Sequence, residues 1–171
     1  MAEKKKILII DDEPDFCFLV KTNLEDTEEF EVVTSNNPEM AEDVIRNENP
    51  DLIILDNVMP KRQGSELVKD LKKNPDIHGI PIIMVSGRGE MVYIKGKDQF
   101  KWLPNSPVLK DRKDIVEGKN PETLSKAYGV DDYVAKPFST EILIQVIHEV
   151  LEKIEKKKGR EDGGQNQNPY D

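Results

Sequence analysis

Residues 7–14 read ILIIDDEP: four consecutive apolar residues, then two adjacent carboxylates, a third acid and a proline. An unbroken apolar run suits a strand covered on both faces, as in a parallel sheet. Three more stretches repeat the pattern. Leu52–Leu55 runs into Asp56, Ile82–Val85 into Ser86, and Tyr133–Ala135 into Lys136 followed by Pro137. In parallel α/β sheets function gathers at the carboxyl ends of the strands, so Asp11, Asp12, Asp56, Ser86 and Lys136 form the candidate site.

Outward from these runs, strands and helices alternate, the pattern of a parallel sheet covered on both faces. Lys6–Ile10 reads as the first strand. Pro14 suits the first turn of a helix reaching about Glu25, because its missing N–H is not needed there. Phe30–Ser35 alternates as a second strand, and Asn36-Asn37-Pro38 opens a helix through Met40, Ala41, Val44 and Ile45 that Asn49-Pro50 stops. After the third strand, Leu52–Leu55, comes a helix over Gly64–Lys73 with Leu67 and Leu71 at helical spacing, ended by Pro75. Ile80–Val85 is the fourth strand, Glu122–Tyr128 a short helix stopped by Gly129, and Val130–Ala135 the fifth strand. Ser139 or Thr140 caps a last helix with Ile142, Leu143, Val146, Ile147, Val150, Leu151 and Ile154 on one face. Residues 1–158 are expected to form one domain, and the tail 159–171, GREDGGQNQNPYD, lacks apolar periodicity and is expected to be disordered.

Composition narrows the function classes. A chain of 171 residues with 36% hydrophobic content holds a single core. With 35% charged residues and a net charge of −9, it is ill suited to neutralise a row of phosphates, which disfavours nucleic acid as a direct partner. No apolar stretch approaches a membrane span, and MAEKKKILII has no cleavage site of a signal peptide, so the cytoplasm is the expected location. The single cysteine, Cys17, excludes an internal disulfide and, lying among Phe16, Phe18 and Leu19, reads as core packing. His78 and His148 have no neighbours arranged as a ligand set and read as surface residues. The cations Lys153, Lys156–Lys158 and Arg160 suit a helix C-terminus.

Chemically, Asp11 and Asp12 stand where the first strand meets its helix, and Asp56 ends the third strand. Three carboxylates with a backbone carbonyl and waters make an oxygen-only site of the kind Mg2+ accepts, and their mutual repulsion calls for a cation. Taken singly, Asp12 reads equally as a helix-terminus acid, Asp56 as a turn former and Lys136 as a surface lysine. Independent capping, however, does not place Ser86 and Lys136 at the matching ends of two more strands.

As a set, ILIIDDEP, LIILDNVMPKRQG, IPIIMVSG and DDYVAKPF resemble the receiver domain of bacterial two-component response regulators, over about residues 4–88 and 120–155. The resemblance implies a doubly wound α/β fold of five parallel strands in the order 2-1-3-4-5. It implies that Asp56 is the phosphoacceptor, that Asp12 and Asp56 ligate Mg2+, that Asp11 holds a metal-bound water and that the Val58 main-chain carbonyl completes the protein ligands. Ser86 then hydrogen-bonds the phosphoryl group, Lys136 pairs with it, Tyr133 reorients with Ser86, and the Lys136–Pro137 peptide is cis. The implied partners are a sensor histidine kinase or histidine phosphotransfer protein and a downstream protein target, in a module that catalyses only its own phosphorylation and dephosphorylation.

The physics of those roles stands beside the resemblance. A carboxylate can take a phosphoryl group from phosphohistidine as an acyl phosphate, with Mg2+ and Lys136 supplying positive charge around the equatorial oxygens. Tyr133 lies three residues before Lys136, so strand alternation puts them on opposite faces and Tyr133 reports the phosphoryl group indirectly; an edge tyrosine with its hydroxyl in water is the alternative. Two rival readings are a Mg2+-dependent aspartyl phosphohydrolase and an interaction module whose site has decayed. In the haloacid-dehalogenase type of hydrolase a second acid follows the nucleophile by two residues, whereas here adjacent Asp11-Asp12 precedes Glu13-Pro14.

Ser86 and Lys136 stand 50 positions apart, more than twice the usual span in receiver domains. The extra material, about 89–120, contains Met91–Lys95 and Gln99–Leu103 around a glycine-containing turn, which reads as a hairpin. An isolated hairpin is marginal in water, so it is expected to pack on the domain, on a target or on a second copy as a homodimer, with Phe100 and Trp102 on one face. By the resemblance, Val58 and Arg88 tune the phosphate lifetime.

Overall fold

The computed structural model describes residues 3–86, 125–126 and 128–160 in full, and the backbone course of 89–94, 99–104 and 161–162. Five strands, β1 (Lys5–Ile10), β2 (Phe30–Ser35), β3 (Leu52–Asp56), β4 (Ile82–Ser86) and β7 (Asp132–Ala135), form one sheet in the order β2-β1-β3-β4-β7. Every pairing is parallel. This is the doubly wound 2-1-3-4-5 arrangement that the sequence implies. Between the strands run α1 (Pro14–Glu25), α2 (Ala41–Glu48, after a 3-10 turn at Pro38–Met40) and α3 (Gly64–Lys73), and α4 (Thr140–Asp162) follows β7.

Side-chain alternation divides the apolar content into two cores. Leu8 and Ile10 of β1, Ile53 and Leu55 of β3 and Met84 of β4 face α2 and α3, meeting Ile45, Leu67 and Leu71. Ile7, Ile9, Ile54, Ile83 and Val85 face α1 and α4, meeting Val20, Leu24, Leu143 and Ile147. Strands buried on both sides have to be apolar throughout, which explains why the runs lack polar interruptions until their carboxyl ends.

Element edges differ from expectation where local chemistry intervenes. Pro81 has no N–H for the ladder, so β4 begins at Ile82 rather than Ile80, and Asp131 takes over by accepting from the Ile82 amide at 2.8 Å. Asn49 adopts the left-handed conformation, φ 46°, that ends α2. Ser125, Lys126 and Tyr128 of the expected short helix are helical, and Gly129 follows at φ 71°; the rest of that helix lies outside the described residues. Ser139 caps α4, its hydroxyl accepting from the Ile142 amide at 3.4 Å. Ile142 itself is exposed instead of joining the apolar face, because it lies one position off the Leu143, Ile147 and Val150 stripe.

Two findings concern the last helix and the expected insertion. Helix α4 runs to Asp162, four residues past the proposed boundary at Lys158, since extending a formed helix through polar residues is far easier than starting one. Residues 163–171 lie outside the described residues. In the insertion, β5 (Gly89–Ile94) and β6 (Gln99–Pro104) pair antiparallel, with Met91 opposite Trp102 and Tyr93 opposite Phe100. The expected runs are thus a paired hairpin, each strand shifted or lengthened by one or two residues.

Candidate functional site

All five strands of the parallel sheet point their carboxyl ends toward one edge. Asp11 follows β1 directly, its amide donating to the Ser35 carbonyl at 3.2 Å. Its Oδ1 accepts from the Glu13 amide at 2.9 Å, which turns the chain into α1. Asp56 closes β3, and its Oδ2 accepts from the Val58 amide at 3.1 Å. Both carboxylates are buried, with exposures of 1% and 4%. Asp12 is half-buried beside them, and carboxylate oxygens of Asp11, Asp12 and Asp56 lie within 4.8 Å of one another.

Lys136 answers this charge from just past the end of β7, on the far side of β4 from Asp56. Its amide donates to the Ser86 carbonyl at 2.8 Å, and the Lys136–Pro137 peptide is cis. Its Nζ donates to Asp11 Oδ2 at 2.6 Å and lies 3.5 Å from Asp56 Oδ1. Burial alone lowers a lysine pKa, but the bond to Asp11 and the Asp56 charge outweigh it and hold Lys136 above its usual value. For Asp56, burial raises the pKa, Lys136 pulls it back and the Asp11 charge adds to the rise, leaving it at about 6. One ammonium against three clustered carboxylates leaves an uncompensated negative charge in a buried place. An all-oxygen donor set of this kind fits a hard divalent cation such as Mg2+.

Ser86 and Tyr133 occupy the opposite face of the sheet from Lys136. Tyr133 packs in the α2–α3 core with Met84, stacked on Tyr128 at 6.1 Å between centroids. Burial raises its phenol pKa, and a hydrogen bond to Ser86 opposes the rise. The alternative of an edge tyrosine with its hydroxyl in water is therefore set aside: Tyr133 is 4% exposed and its phenol is tied to Ser86. Arg88 lies outside the described residues.

Asn36, Asn57 and Gly64 support the site without having been assigned to it from the sequence. Asn36 reaches from the end of β2 to donate to the Asp11 carbonyl at 2.8 Å and approaches Cys17 Sγ at 3.3 Å. Cys17 is buried, and burial with the Asp11 charge pushes its thiol up to about 11. Asn57 Oδ1 accepts from the Ser65 amide at 3.1 Å, holding α3 under the loop that follows Asp56. Gly64 is required there: a Cβ would stand 2.8 Å from Asn57 Cα and closer still to the Asp56 carbonyl oxygen. Only the spacing of Asn57 and Gly64 from Asp56 hinted at this, and it acquires meaning once the loop is folded back.

A sheet of this order with three acids, a lysine and a hydroxyl at its carboxyl edge defines the phosphoacceptor switches of two-component signalling. The chain belongs to the response regulator receiver domain family, which residues 7–98 match. Lys136 and Tyr133 lie beyond the matched residues, and the sheet itself brings them to the acids. The chain is 32% identical over 154 residues to the probable transcriptional regulator ycf27 of Porphyra purpurea, covering 90% of this chain and 50% of that protein. It is 33% identical over 148 residues to the phosphate regulon transcriptional regulatory protein PhoB of Rhizobium meliloti (strain 1021), covering 86% and 52%. The chain thus spans about half the length of these curated relatives. Among solved structures, a CheY-like response regulator receiver domain protein from Methanospirillum hungatei JF-1 superposes with a TM-score of 0.64 at 26% identity, over 91% of this chain and 99% of that one. Relatives named as transcriptional regulators give no support to the expected exclusion of nucleic acid. No helix among the described residues is long and apolar enough to cross a membrane.

Proposed function

We propose that Asp56 is the phosphoacceptor, and that Asp11, Asp12, Asp56 and the Val58 carbonyl hold a Mg2+ ion, Asp11 by way of a water. Bound there, the ion neutralises charge on the incoming phosphoryl oxygens. An Asp56 oxygen attacks phosphorus, the bond to the donor's histidine nitrogen breaks, and that nitrogen leaves with the electron pair and is protonated. Lys136 and Ser86 donate to phosphoryl oxygens from opposite faces of the sheet, and Tyr133 follows Ser86. The donor is a histidine kinase or phosphotransfer protein in the cytoplasm. The output is a contact with a protein target, for which the insertion 89–120 offers a surface, or with a second copy of the chain.

The observation that carries this reading is the gathering of three carboxylates within 4.8 Å with the Lys136 ammonium 3.5 Å from Asp56. Intact-mass measurement after incubation with a small phosphodonor and Mg2+ tests it. Wild type gains one phosphate and Asp56→Asn gains none; equal labelling of the two proteins overturns the assignment.

A further inference from the structure

The Lys136 ammonium has a third neighbour besides Asp11 and Asp56. It lies over the ring of Phe16, 3.7 Å from the centroid, well inside the range at which an aromatic face attracts a cation. Phe16 belongs to the first turn of α1, two residues after Pro14. Its ring meets Phe138 edge-to-face, 5.9 Å between centroids at 83°, and Phe138 comes two residues after Lys136. The lysine and the ring that packs on Phe16 are therefore carried by the same short segment.

The ring is itself held. Next to it in sequence, the Cys17 thiol is buried and reaches the Asp11 carbonyl at 3.5 Å, and Asn36 bonds that same carbonyl at 2.8 Å. The first turn of α1 is thus tied to the loop that carries Asp11, and the ring keeps its place relative to the acid that Lys136 pairs with. An aromatic face differs in kind from another carboxylate here. It restricts the ammonium without neutralising it and takes up none of its hydrogen-bond donors in a strong acceptor.

We propose that Phe16 is a positioning residue for phosphoryl transfer: its face seats the Lys136 ammonium beside Asp56, so that the donor is in place before the phosphoryl group arrives. The proposal rests on Asp56 being the acceptor. A donor aimed in advance at developing charge acts without reorganisation during the reaction, which is where such a seat gains its effect. An aliphatic side chain at position 16 would fill the space and leave the ammonium free to wander between Asp11 and solvent.

The test is a double-mutant cycle on phosphorylation by a small phosphodonor with Mg2+. Phe16→Leu is expected to lower the maximal rate about tenfold while Mg2+ affinity changes less than about twofold, and Phe16→Tyr to restore the rate. In a Lys136→Met background Phe16→Leu should change nothing further. Equal slowing in both backgrounds, or none in either, overturns the seat. Wild type that takes up no phosphate at all overturns the acceptor reading instead, and a second readout then decides on Phe16. In wild type the ring current should shift the Lys136 ε-methylene protons upfield of those of other lysines. An unshifted resonance overturns the seat whatever Phe16→Leu does to folding.

Discussion

The Asp56 carboxylate is buried beside two other acids, a setting that disfavours its charged form. Burial and neighbouring acids raise its pKa to about 6 despite Lys136, above the ordinary carboxylate value near 4 that holds in the unfolded chain. In that window the folded state binds more protons than the unfolded one, so stability falls as pH rises through it, and the penalty is complete above it. In a chelator, Asp56→Asn is therefore expected to raise the melting temperature by a few degrees near neutral pH, and the gain should fade toward pH 4. Thermal melts over a pH series read this directly. Excess Mg2+ should reverse the order, because only wild type offers the ion that carboxylate. Asp12 has a different role. Losing one of few anionic ligands, Asp12→Ala should weaken Mg2+ binding about tenfold or more and slow phosphorylation. Titration with the metal checks it, and an unchanged affinity removes Asp12 from the ligand set.

Among the elements, β3 and α3 meet closely at Gly64. Gly64→Ala forces a Cβ against the backbone of Asp56 and Asn57, with a cost of about 2 kcal/mol or more in urea unfolding and slower phosphorylation. A stability unchanged within about 0.5 kcal/mol would mean that α3 shifts freely. Strands were legible because burial on both faces demands uninterrupted apolar runs, and the acids mark where those runs stop. Gly64, Asn36 and Phe16 were not, because their partners, Asp56, Asp11 and Lys136, are remote in sequence. A helical-wheel reading put Ile142 on the apolar face, yet the buried stripe runs through Leu143, Ile147 and Val150, one position further on. Tyr133 was assigned correctly to the face opposite Lys136 by alternation alone; its bond to Ser86 needed the β4–β7 register, which sets Met84 beside Tyr133.

For the whole molecule, the five-stranded sheet is complete without the hairpin, since β4 pairs directly with β7. Replacing residues 89–120 by a short glycine-serine link should therefore leave a folded protein that binds Mg2+ and takes up one phosphate at about the wild-type rate, because loop length costs little closure entropy. Comparing the two proteins by mass in solution and by target capture then isolates what the hairpin contributes to association. A shortened protein unable to fold would mean that the hairpin is part of the core.

The close seat of Gly64 against Asp56 also has a mechanical meaning. On that side the Asp56 backbone is closely backed: the turn through Asn57 and the start of α3 leave no room for even a methyl group at position 64. A group the size of phosphate added to Asp56 is expected to leave that wall in place. Displacement is expected to be taken up on the other side, by β4 and β7 with Ser86 and Tyr133, like a vice with one fixed jaw and one that travels.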